Sequence, residues 1–339
     1  MSDLKTIEQL DITTTKIGSG ASWAGQSSGI GSVMGSTWSQ KIVFDAQPDR
    51  VLSKYFLEFT DLMGNNDVTL VIPKIGDVDL MGGRTGSAEG ITRTLNNFDT
   101  ADNITVSLSS ADVKLGGCGI SFETASATRV SIVEMAHKQL VRQYLETIET
   151  DANAILENAT TGSTAAGIIY GGDASAKGDL ETGDVITVDK IIDMKIELQI
   201  RDFAKKPGDA VLFIHPTQYK QLLKSSQFTN AAEFGNGSIV SKGVIQEYVG
   251  VIIEVSTLVS AGTVAANTTV ALRGGWGAAG HLAYMIDPTA AAGIVWKEKA
   301  KVKVVTEDDE RVHKVLLDAW YKMTRINQKA ICLGLFTDV

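Results

Sequence analysis

Residues 64–122 contain the two runs Val68-Thr69-Leu70-Val71-Ile72 and Ile104-Thr105-Val106-Ser107-Leu108. In the second run apolar and polar side chains alternate, and in the first β-branched residues dominate, which predicts two strands. A tip rich in Gly, Thr and Asn separates them, so we expect a long two-stranded arm with nothing of its own to fold against. An isolated hairpin is marginally stable in water, and ordering about 45 residues costs roughly 1.5 kcal/mol each. We therefore expect other chains to supply the missing contacts, as in a protein that assembles.

The composition describes a folding chain that is acidic. With 339 residues, 44% of them hydrophobic, the chain can hold two domains or one large one. A formal charge of −9 disfavours tight binding to nucleic acid, which needs clustered Lys and Arg, while weak contact through a local patch stays open. No apolar run is long enough to span a bilayer, and the N-terminus lacks the apolar core of a signal peptide. We expect a cytoplasmic protein without a membrane partner.

Two cysteines, Cys118 and Cys332, are present, and both lie in apolar sequence beside glycines. This setting favours reduced thiols inside the fold. A disulfide between them is the alternative.

The N-terminal part predicts an arm followed by a helix. Residues 1–45 are rich in Gly, Ser and Thr, with Trp23 and Trp38 among them, which indicates an extended arm that places isolated apolar side chains into a neighbour. Within 46–63, apolar residues recur at spacings of three and four from Pro48 to Met63, which predicts an amphipathic helix.

The middle of the chain predicts helices that alternate with strands. A helix of about 50 Å is expected over Ser126–Asn158, long enough to act as a spine, and a second helix over Val188–Phe203. The continuous apolar run Ala210–Ile214 predicts a buried strand. Further strands are expected over Val249–Val255 and Thr269–Leu272, and the alternation favours an α/β domain with a central sheet.

The C-terminal part, Gly293–Val339, predicts strands throughout. Lys297, Lys299, Lys301 and Lys303 recur with a period of two, and the acidic turn Thr306–Glu310 precedes a returning strand. If this hairpin joins the sheet beside the spine helix, residues 185–290 are an insertion between two parts of one domain.

Three motifs require a chemical interpretation. Gly275-Trp276-Gly277-Ala278-Ala279-Gly280 matches the dinucleotide pattern, but the apolar segment that follows is stopped at Asp287-Pro288 before a helix is established. Glu134 with His137 and Glu310 with His313 show the di-iron spacing, yet the second pair is expected in a strand hairpin, where its members point to opposite faces. His215 has no nucleophile in a suitable setting, so we expect a turn histidine bonded to backbone. We predict no enzyme activity, no cofactor and no metal site.

The order of these segments resembles the major capsid protein of tailed bacteriophages and related archaeal viruses, which has the Johnson fold. Local sequence is similar as well. Val211-Leu212-Phe213-Ile214-His215-Pro216-Thr217-Gln218-Tyr219 and the later Gly250-Val251-Ile252-Ile253-Glu254-Val255 look like the strand, turn, helix and second strand of the axial domain of these shells.

The resemblance implies an α+β fold with five parts. These are an N-terminal arm at 1–45, a helix at 46–63 that joins the arm to the loop, an extended β-hairpin loop at 64–122, a peripheral domain with the spine helix at 123–184 and 291–339, and an inserted α/β axial domain at 185–290. The tip of the axial domain would surround fivefold and sixfold axes.

The expected inter-subunit interface combines tryptophans of the arm, charged residues of the loop and phenylalanines of the axial domain: Trp23, Trp38, Lys74, Asp77, Asp79, Arg84, Glu89, Arg93, Phe228 and Phe234. The loop charges would set the register between copies by charge complementarity. Some family members join a loop lysine covalently to an asparagine of a neighbour, and Lys74 would be the donor here.

The resemblance implies a structural subunit that forms pentamers and hexamers and closes into an icosahedral shell around double-stranded DNA. Expected partners are further copies, a separate scaffolding protein, a portal, a decoration protein and the packaged DNA through weak non-specific contact. The shell would be assembled in the host cytoplasm and located in the virion. Two alternatives stay open: an encapsulin-like nanocompartment shell, and a dinucleotide-dependent enzyme that uses the Gly275–Gly280 turn.

Overall fold

The computed structural model describes residues 50–75, 101–127, 132–157, 167–225, 247–265 and 271–338. The chain divides into two compact units. Of the described residues, one unit takes those within 114–145 and 300–319, and the other takes those within 50–113, 146–299 and 320–338. In the described part, no helix has the length and apolarity needed to cross a membrane.

Strands dominate the secondary structure. They are β1 (Leu57–Phe59), β2 (Thr69–Ile75), β3 (Ala101–Ser107), β4 (Val113–Ser121), β5 (Gly167–Tyr170), β6 (Ala210–Ile214), β7 (Glu247–Tyr248), β8 (Val251–Val255), β9 (Ala261–Gly262), β10 (Gly280–Ile286), β11 (Ala292–Glu307), β12 (Val312–Arg325) and β13 (Ile331–Thr337). The α-helices are α1 (Phe122–Ala127), α2 (Ile132–Glu157), α3 (Val188–Ile200) and α4 (Pro216–Lys224).

A seven-stranded sheet forms the main core of the second unit. Its order is β5-β13-β10-β6-β8-β7, and β9 also pairs with β10. All five residues of β6 are buried, as its continuous apolar sequence predicts. Helix α3 contributes Ile191, Met194 and Leu198 to the cluster that includes Leu212 and Cys332. The predicted strand and helix are therefore confirmed, with α3 ending at Ile200 instead of Phe203.

Both cysteines are free thiols, as predicted. Cys332 lies in β13 inside the core, and burial raises the pKa of its thiol to about 12. Cys118 lies in β4 and is partly buried, and burial also raises its pKa.

A second sheet has the order β1-β11-β12-β4. In the first unit, Ile120 of β4 and Val315 and Leu317 of β12 pack with Leu140 of α2. The first half of α2 thus covers one face of these strands.

The third sheet is the antiparallel ribbon of β2 and β3, paired from Thr69 with Ser107 to Ile75 with Ala101. This confirms two paired strands, but two details of the predicted arm are wrong. Val106 and Leu108 are buried against Leu62 and Val295, so the base of the ribbon does pack against its own chain. In addition, β4 leaves the ribbon and joins the sheet of β11 and β12, because its apolar face is buried against α2.

The helix predicted over Pro48–Met63 is wrong within the described residues. Ser53–Tyr55 is a single 3-10 turn, and β1 follows, parallel to β11 with Leu57 opposite Gly293. The apolar spacing that suggested a helix reflects burial of Leu52, Phe56 and Leu62. Tertiary hydrogen bonds to the backbone override the local periodicity here.

Two further boundaries differ from those expected. The spine helix is confirmed over α2, about 39 Å at 1.5 Å per residue, and α1 lies before it in the sequence. Ala271–Arg273 is a 3-10 turn, not the end of a strand. The seven-stranded sheet includes β5 and β13, which lie on either side of the predicted insertion 185–290, because β13 pairs with both β10 and β5.

Candidate assembly site

The β2–β3 ribbon has one apolar face that packs and one face that is exposed. Leu70, Ile72 and Ile104 contribute to the cluster at its base. On the other face, Val71 is 51% exposed, and the hydroxyls of Thr69 and Ser107 lie 3.1 Å apart. A two-stranded sheet with an exposed apolar side chain is a surface that another chain can cover.

Two lysines fix the root of the ribbon. The Lys297 ammonium of β11 donates to the carbonyl oxygens of Asn65 and Asp67, the latter at 2.8 Å. Lys322 of β12 donates to the carbonyl of Ser107 at 2.8 Å and lies 3.5 Å from the Asp112 carboxylate. Both strands of the ribbon are thus held where they leave the body of the unit.

Asp112 completes this root. Burial would raise the pKa of its carboxyl group, but hydrogen bonds from the backbone and hydroxyl of Ser109, together with Lys322, lower it below the ordinary value. The Asp112 carboxylate accepts from the Ser109 N–H at 2.7 Å and from its hydroxyl at 2.9 Å. The turn between β3 and β4 is therefore fixed by a charged group.

Helix α2 carries a column of buried polar groups, Glu149, Asn153 and Glu157, on its C-terminal half. Glu149 accepts from the backbone N–H groups of Leu52 at 2.9 Å and Ser53 at 3.1 Å and from the Ser53 hydroxyl. The segment that leads into β1 is thereby attached to the helix. Sequence reasoning missed this column, although its spacing of four residues within an apolar helix is a detectable signal.

The other two members of the column hold the segment between β8 and β10. Asn153 donates to the Leu258 carbonyl at 2.6 Å. The Glu157 carboxylate accepts from Arg273 at 2.6 and 3.1 Å and from the Tyr284 hydroxyl at 2.7 Å. The hydrogen bond that Arg273 donates to Glu157 raises the pKa of Arg273, whereas burial and the Glu157 charge raise the pKa of Tyr284. Every charge in this group is compensated, as burial requires.

His215 caps helix α4, as the sequence analysis predicted for a turn histidine. Its Nδ1 accepts from the Thr217 N–H at 3.3 Å. Its ring stacks on that of His281 with centroids 3.7 Å apart, and Asp338 accepts from Thr217 and contacts His281 Nδ1, both at 2.8 Å. Burial and the nearby His281 lower the pKa of His215, partly offset by Asp338. The group ties the end of β13 to α4.

The glycine motif at residues 275–280 serves packing. Strand β10, not a helix, begins at Gly280. A Cβ at Gly277 would lie 2.3 Å from the Leu180 carbonyl oxygen, and one at Gly280 would lie 2.1 Å from that of Phe336. The dinucleotide fingerprint requires a helix whose N-terminus meets the phosphates, so this motif lacks its structural context.

The two Glu-x-x-His pairs are engaged in other contacts. Glu134 forms an ion pair with Lys138 at 3.2 Å, and His137 is exposed on the same helix. Glu310 lies in the hairpin turn and pairs with Lys314 at 2.8 Å. The His313 ring packs against the Phe122 ring in a tilted arrangement, with centroids 4.6 Å apart. Among the residues described, no three His, Cys, Asp or Glu side chains are grouped as metal ligands.

The distal part of the β11–β12 hairpin is the most exposed strand surface of the first unit. Most of residues 300–306 are exposed, and Val304 is 53% exposed. At the tip, Lys314 contacts Glu307 at 2.5 Å and Arg311 contacts Glu123 at 3.2 Å. A long strand with both faces partly open is a second candidate contact surface.

Residues 116–332, well over half of the chain, match the sequence model of a family described as phage capsid protein. The chain belongs to the phage capsid protein family. It is therefore a structural subunit of a capsid, and the predicted kinship with the major capsid proteins of tailed phages is confirmed.

Solved capsid structures share the fold of this subunit. The capsid of cyanophage P-SCSP1u matches with a TM-score of 0.67 at 13% identity, over 89% of this chain and 92% of that chain. The mature capsid of bacteriophage PhiM1 gives 0.66 at 11% identity, over 90% and 92%. The cyanophage Pam1 capsid gives 0.66 at 16% identity, over 89% and 96%. The predicted α+β capsid fold is thus confirmed. No curated protein matches the sequence.

The interface residues predicted from the sequence stay predictions for this capsid subunit. Nine of them lie outside the described residues: Trp23, Trp38, Asp77, Asp79, Arg84, Glu89, Arg93, Phe228 and Phe234. Lys74 lies in β2, where its backbone is opposite Asp102, and the position of its side chain is outside the description. The structure adds the anchoring residues around the ribbon, which the sequence analysis had not identified.

Proposed function

We propose that this capsid subunit forms pentamers and hexamers that close into an icosahedral shell around double-stranded DNA, located in the virion of a tailed phage. The observation that carries the proposal is the β2–β3 ribbon. Its strands form a sheet of their own, and residues 76–100 connect them. A ribbon of two strands gains stability when a neighbouring chain covers it.

The energetics favour many weak contacts over one strong contact. Lys297 and Lys322 anchor the root of the ribbon beside the apolar cluster at its base, so the ribbon leaves the unit in a defined direction. Exposed Val71 and the backbone edges of β2 and β3 offer apolar area and hydrogen bonds to a neighbour. Head-to-tail contacts of this kind close into a ring when the rotation between copies divides a full turn into a whole number of steps without a rise along the axis.

The charge of the subunit fits packaging of DNA without tight binding. A formal charge of −9 repels phosphate at long range, so DNA contact would be weak and local. A portal would admit the DNA. Assembly in the host cytoplasm on a separate scaffolding protein, followed by a decoration protein, completes the proposal on the basis of the family resemblance.

Removal of the loop tests assembly. Because Ile75 and Ala101 are partners at the end of the ribbon, replacing residues 76–100 by Asn-Gly closes a two-residue hairpin without disturbing the strands. We expect a soluble, folded subunit that forms no shells in negative-stain electron microscopy. The control replaces the same residues by a Gly/Ser linker of equal length, which should also fail. Intact shells from the shortened variant would contradict the proposal.

The content of the particles tests the nature of the shell. Particles purified from infected cells should hold double-stranded DNA that resists added nuclease. Particles that contain a protein cargo and no protected DNA would instead favour the nanocompartment alternative.

A further inference from the structure

Three neighbouring strands of the seven-stranded sheet bring two histidines and a carboxylate together beside α4. His215 lies between the end of β6 and the start of α4, His281 is the second residue of β10, and Asp338 follows β13. The order β13-β10-β6 in the sheet explains why residues so far apart in the sequence meet here. The rings of His215 and His281, below called the histidine pair, have an interplanar angle of 1° and centroids 3.7 Å apart.

Asp338 connects the two rings. Its Oδ1 lies 2.8 Å from His281 Nδ1. The Thr217 hydroxyl donates to the same oxygen at 2.8 Å and lies 2.9 Å from His215 Nδ1. One carboxylate oxygen is therefore in contact with one ring directly and with the other through a hydroxyl group.

The same corner contains polar atoms whose hydrogen-bonding capacity is unused. Gln221 of α4 donates to the carbonyl oxygens of Thr337 at 3.2 Å and Asp338 at 2.6 Å, which attaches the end of β13 to α4. Within the described part of the chain, however, Gln221 Oε1 and Thr337 Oγ1 are buried without a hydrogen-bond partner. Buried polar atoms without partners cost free energy. The contact between α4 and β13 is thus incompletely satisfied, and a change of charge can open it.

Asp338 is the carboxylate that compensates positive charge on the histidine pair. Strands β6, β9, β10 and β13 carry no Asp, Glu, Lys or Arg. On α4, Lys220 and Lys224 lie at exposed positions. Asp184, whose carbonyl accepts from the end of β13, directs its carboxylate to a backbone N–H of its own turn.

This arrangement accommodates one proton but not two. A first imidazolium is compensated by Asp338, whereas a second places like charges on rings 3.7 Å apart in a partly buried site. A proton on His215 Nδ1 also removes the acceptor of the Thr217 N–H at the start of α4. In agreement, burial and the nearby His281 lower the pKa of His215, partly offset by Asp338. The second proton therefore acts against both the ring stack and the helix cap.

We propose that the histidine pair and Asp338 form a pH-sensitive switch, which holds α4 on the end of β13 near neutral pH and releases it when both rings are protonated in acid. The His281 side chain is 16% exposed, so protons from the solvent reach it without unfolding of the unit. Opening loosens the first turn of α4 and the end of β13, while the core between α3 and the sheet keeps its packing. The switch belongs to the single subunit and goes beyond the proposed shell.

Amide hydrogen exchange tests the switch in dissociated subunits, by mass spectrometry at pH 7 and pH 5 with correction for the pH dependence of intrinsic exchange. Protection of peptides that cover the start of α4 and the end of β13 should fall by about tenfold or more in acid, while peptides of α3 keep their protection. Unchanged protection at α4 and β13 would overturn the proposal. An equal loss in α3 would overturn it as well, because the whole unit would then unfold.

Two conservative variants distinguish a switch from a structural contact. His281→Asn keeps a donor toward Asp338 but cannot gain a charge, so the loss of protection at pH 5 should shrink about tenfold. Asp338→Asn keeps an acceptor but removes the compensating charge, so opening should begin about one pH unit higher. Both variants change the same hydrogen-bond network, and a purely structural role would loosen it in both. Shifts in the same direction would therefore reject the switch.

His137→Gln, which removes an exposed histidine from α2, is the control and should keep the response of the parent. A response that disappears in this variant would assign the acid sensitivity to another site and overturn the proposal. None of these measurements requires shells, so a failure of the switch and a failure of the proposed function are observed separately.

Discussion

Strands β6 and β11 show two ways of using a strand in one chain. All residues of β6 are buried between neighbours on both sides. In β11 the first five residues are buried, and most of those from Lys299 to Thr306 are exposed. The first strand stabilises the subunit by itself, whereas the second has surface that contributes only when something covers it. Stability of the subunit and stability of the shell therefore depend on different residues.

The largest effect on the isolated subunit is expected from the buried strand. Phe213→Ala removes a fully buried ring from β6 and should lower the free energy of unfolding by about 3–5 kcal/mol, since it leaves a cavity in a packed core. Urea unfolding of dissociated subunits measures it. Val304→Ala on the exposed part of β11 is the matched control and should change the same quantity by less than about 0.5 kcal/mol. If the two variants lowered the unfolding free energy by similar amounts, β6 and the exposed part of β11 would not differ in their contribution to the stability of the subunit.

The next largest effect concerns the buried polar column of α2. Glu157→Ala leaves the Tyr284 hydroxyl buried and Arg273 without this partner, and should cost about 2–3 kcal/mol. The value lies below that for a fully buried pair because the Arg273 side chain is 29% exposed. The variant Glu157→Leu with Arg273→Met removes both charges and should recover part of the loss. A double variant less stable than Glu157→Ala would refute the role assigned to charge compensation.

Elements of the buried core could be predicted from the sequence because the patterns that indicate them are local. The continuous apolar run of β6, the period of α2 and the cap at His215 each depend on a few neighbouring residues. The false helix at Pro48–Met63 failed for the opposite reason. Its apolar spacing is real, but β11 and Glu149 determine its backbone, and both lie far away in the sequence.

The sequence predicted only part of the candidate assembly surfaces. Alternation predicted the pairing of β2 with β3, but periodicity carries no information about what holds the root of a ribbon. The period of two placed Lys297 in a strand, but its contact with the Asp67 carbonyl, and that of Lys322 with the Ser107 carbonyl, appear only in three dimensions. The same holds for the parallel pairing of β1 with β11, since a strand pattern does not show which strands become neighbours.

A smaller, pH-dependent effect is expected at the link between α4 and β13. Because burial and His281 lower the pKa of His215 in the folded state below the ordinary 6.5, the unfolded chain binds the proton more readily. Stability should therefore fall as the pH drops below about 6.5 and level off once the pH is below the folded-state value. His215→Asn keeps a capping acceptor but cannot titrate, so its unfolding free energy should depend less on pH between 7 and 5.

The control for this effect is His137→Gln, which removes an exposed histidine from α2. It should keep the pH dependence of the parent. Asp338 is a further charged group between α4 and β13. Its carboxylate contacts His281 and raises the pKa of His215, which partly offsets the effects of burial and His281. If His215→Asn and the parent lose stability equally on acidification, the histidine pair is not the source of the dependence.

The smallest change in the unfolding free energy of the subunit is expected in the β2–β3 ribbon. A variant in the ribbon can therefore affect assembly without affecting folding. Val71→Ser changes an exposed side chain of β2 and should alter the unfolding free energy of dissociated subunits by less than about 0.5 kcal/mol. If neighbouring copies cover this face, the same change removes apolar contact area from every subunit. The small losses add up over all the copies in a closed shell. Light scattering should then show a higher subunit concentration at the onset of assembly. An unchanged onset would mean that this face stays in solvent in the shell, and that the ribbon joins its neighbours through its edges or its tip.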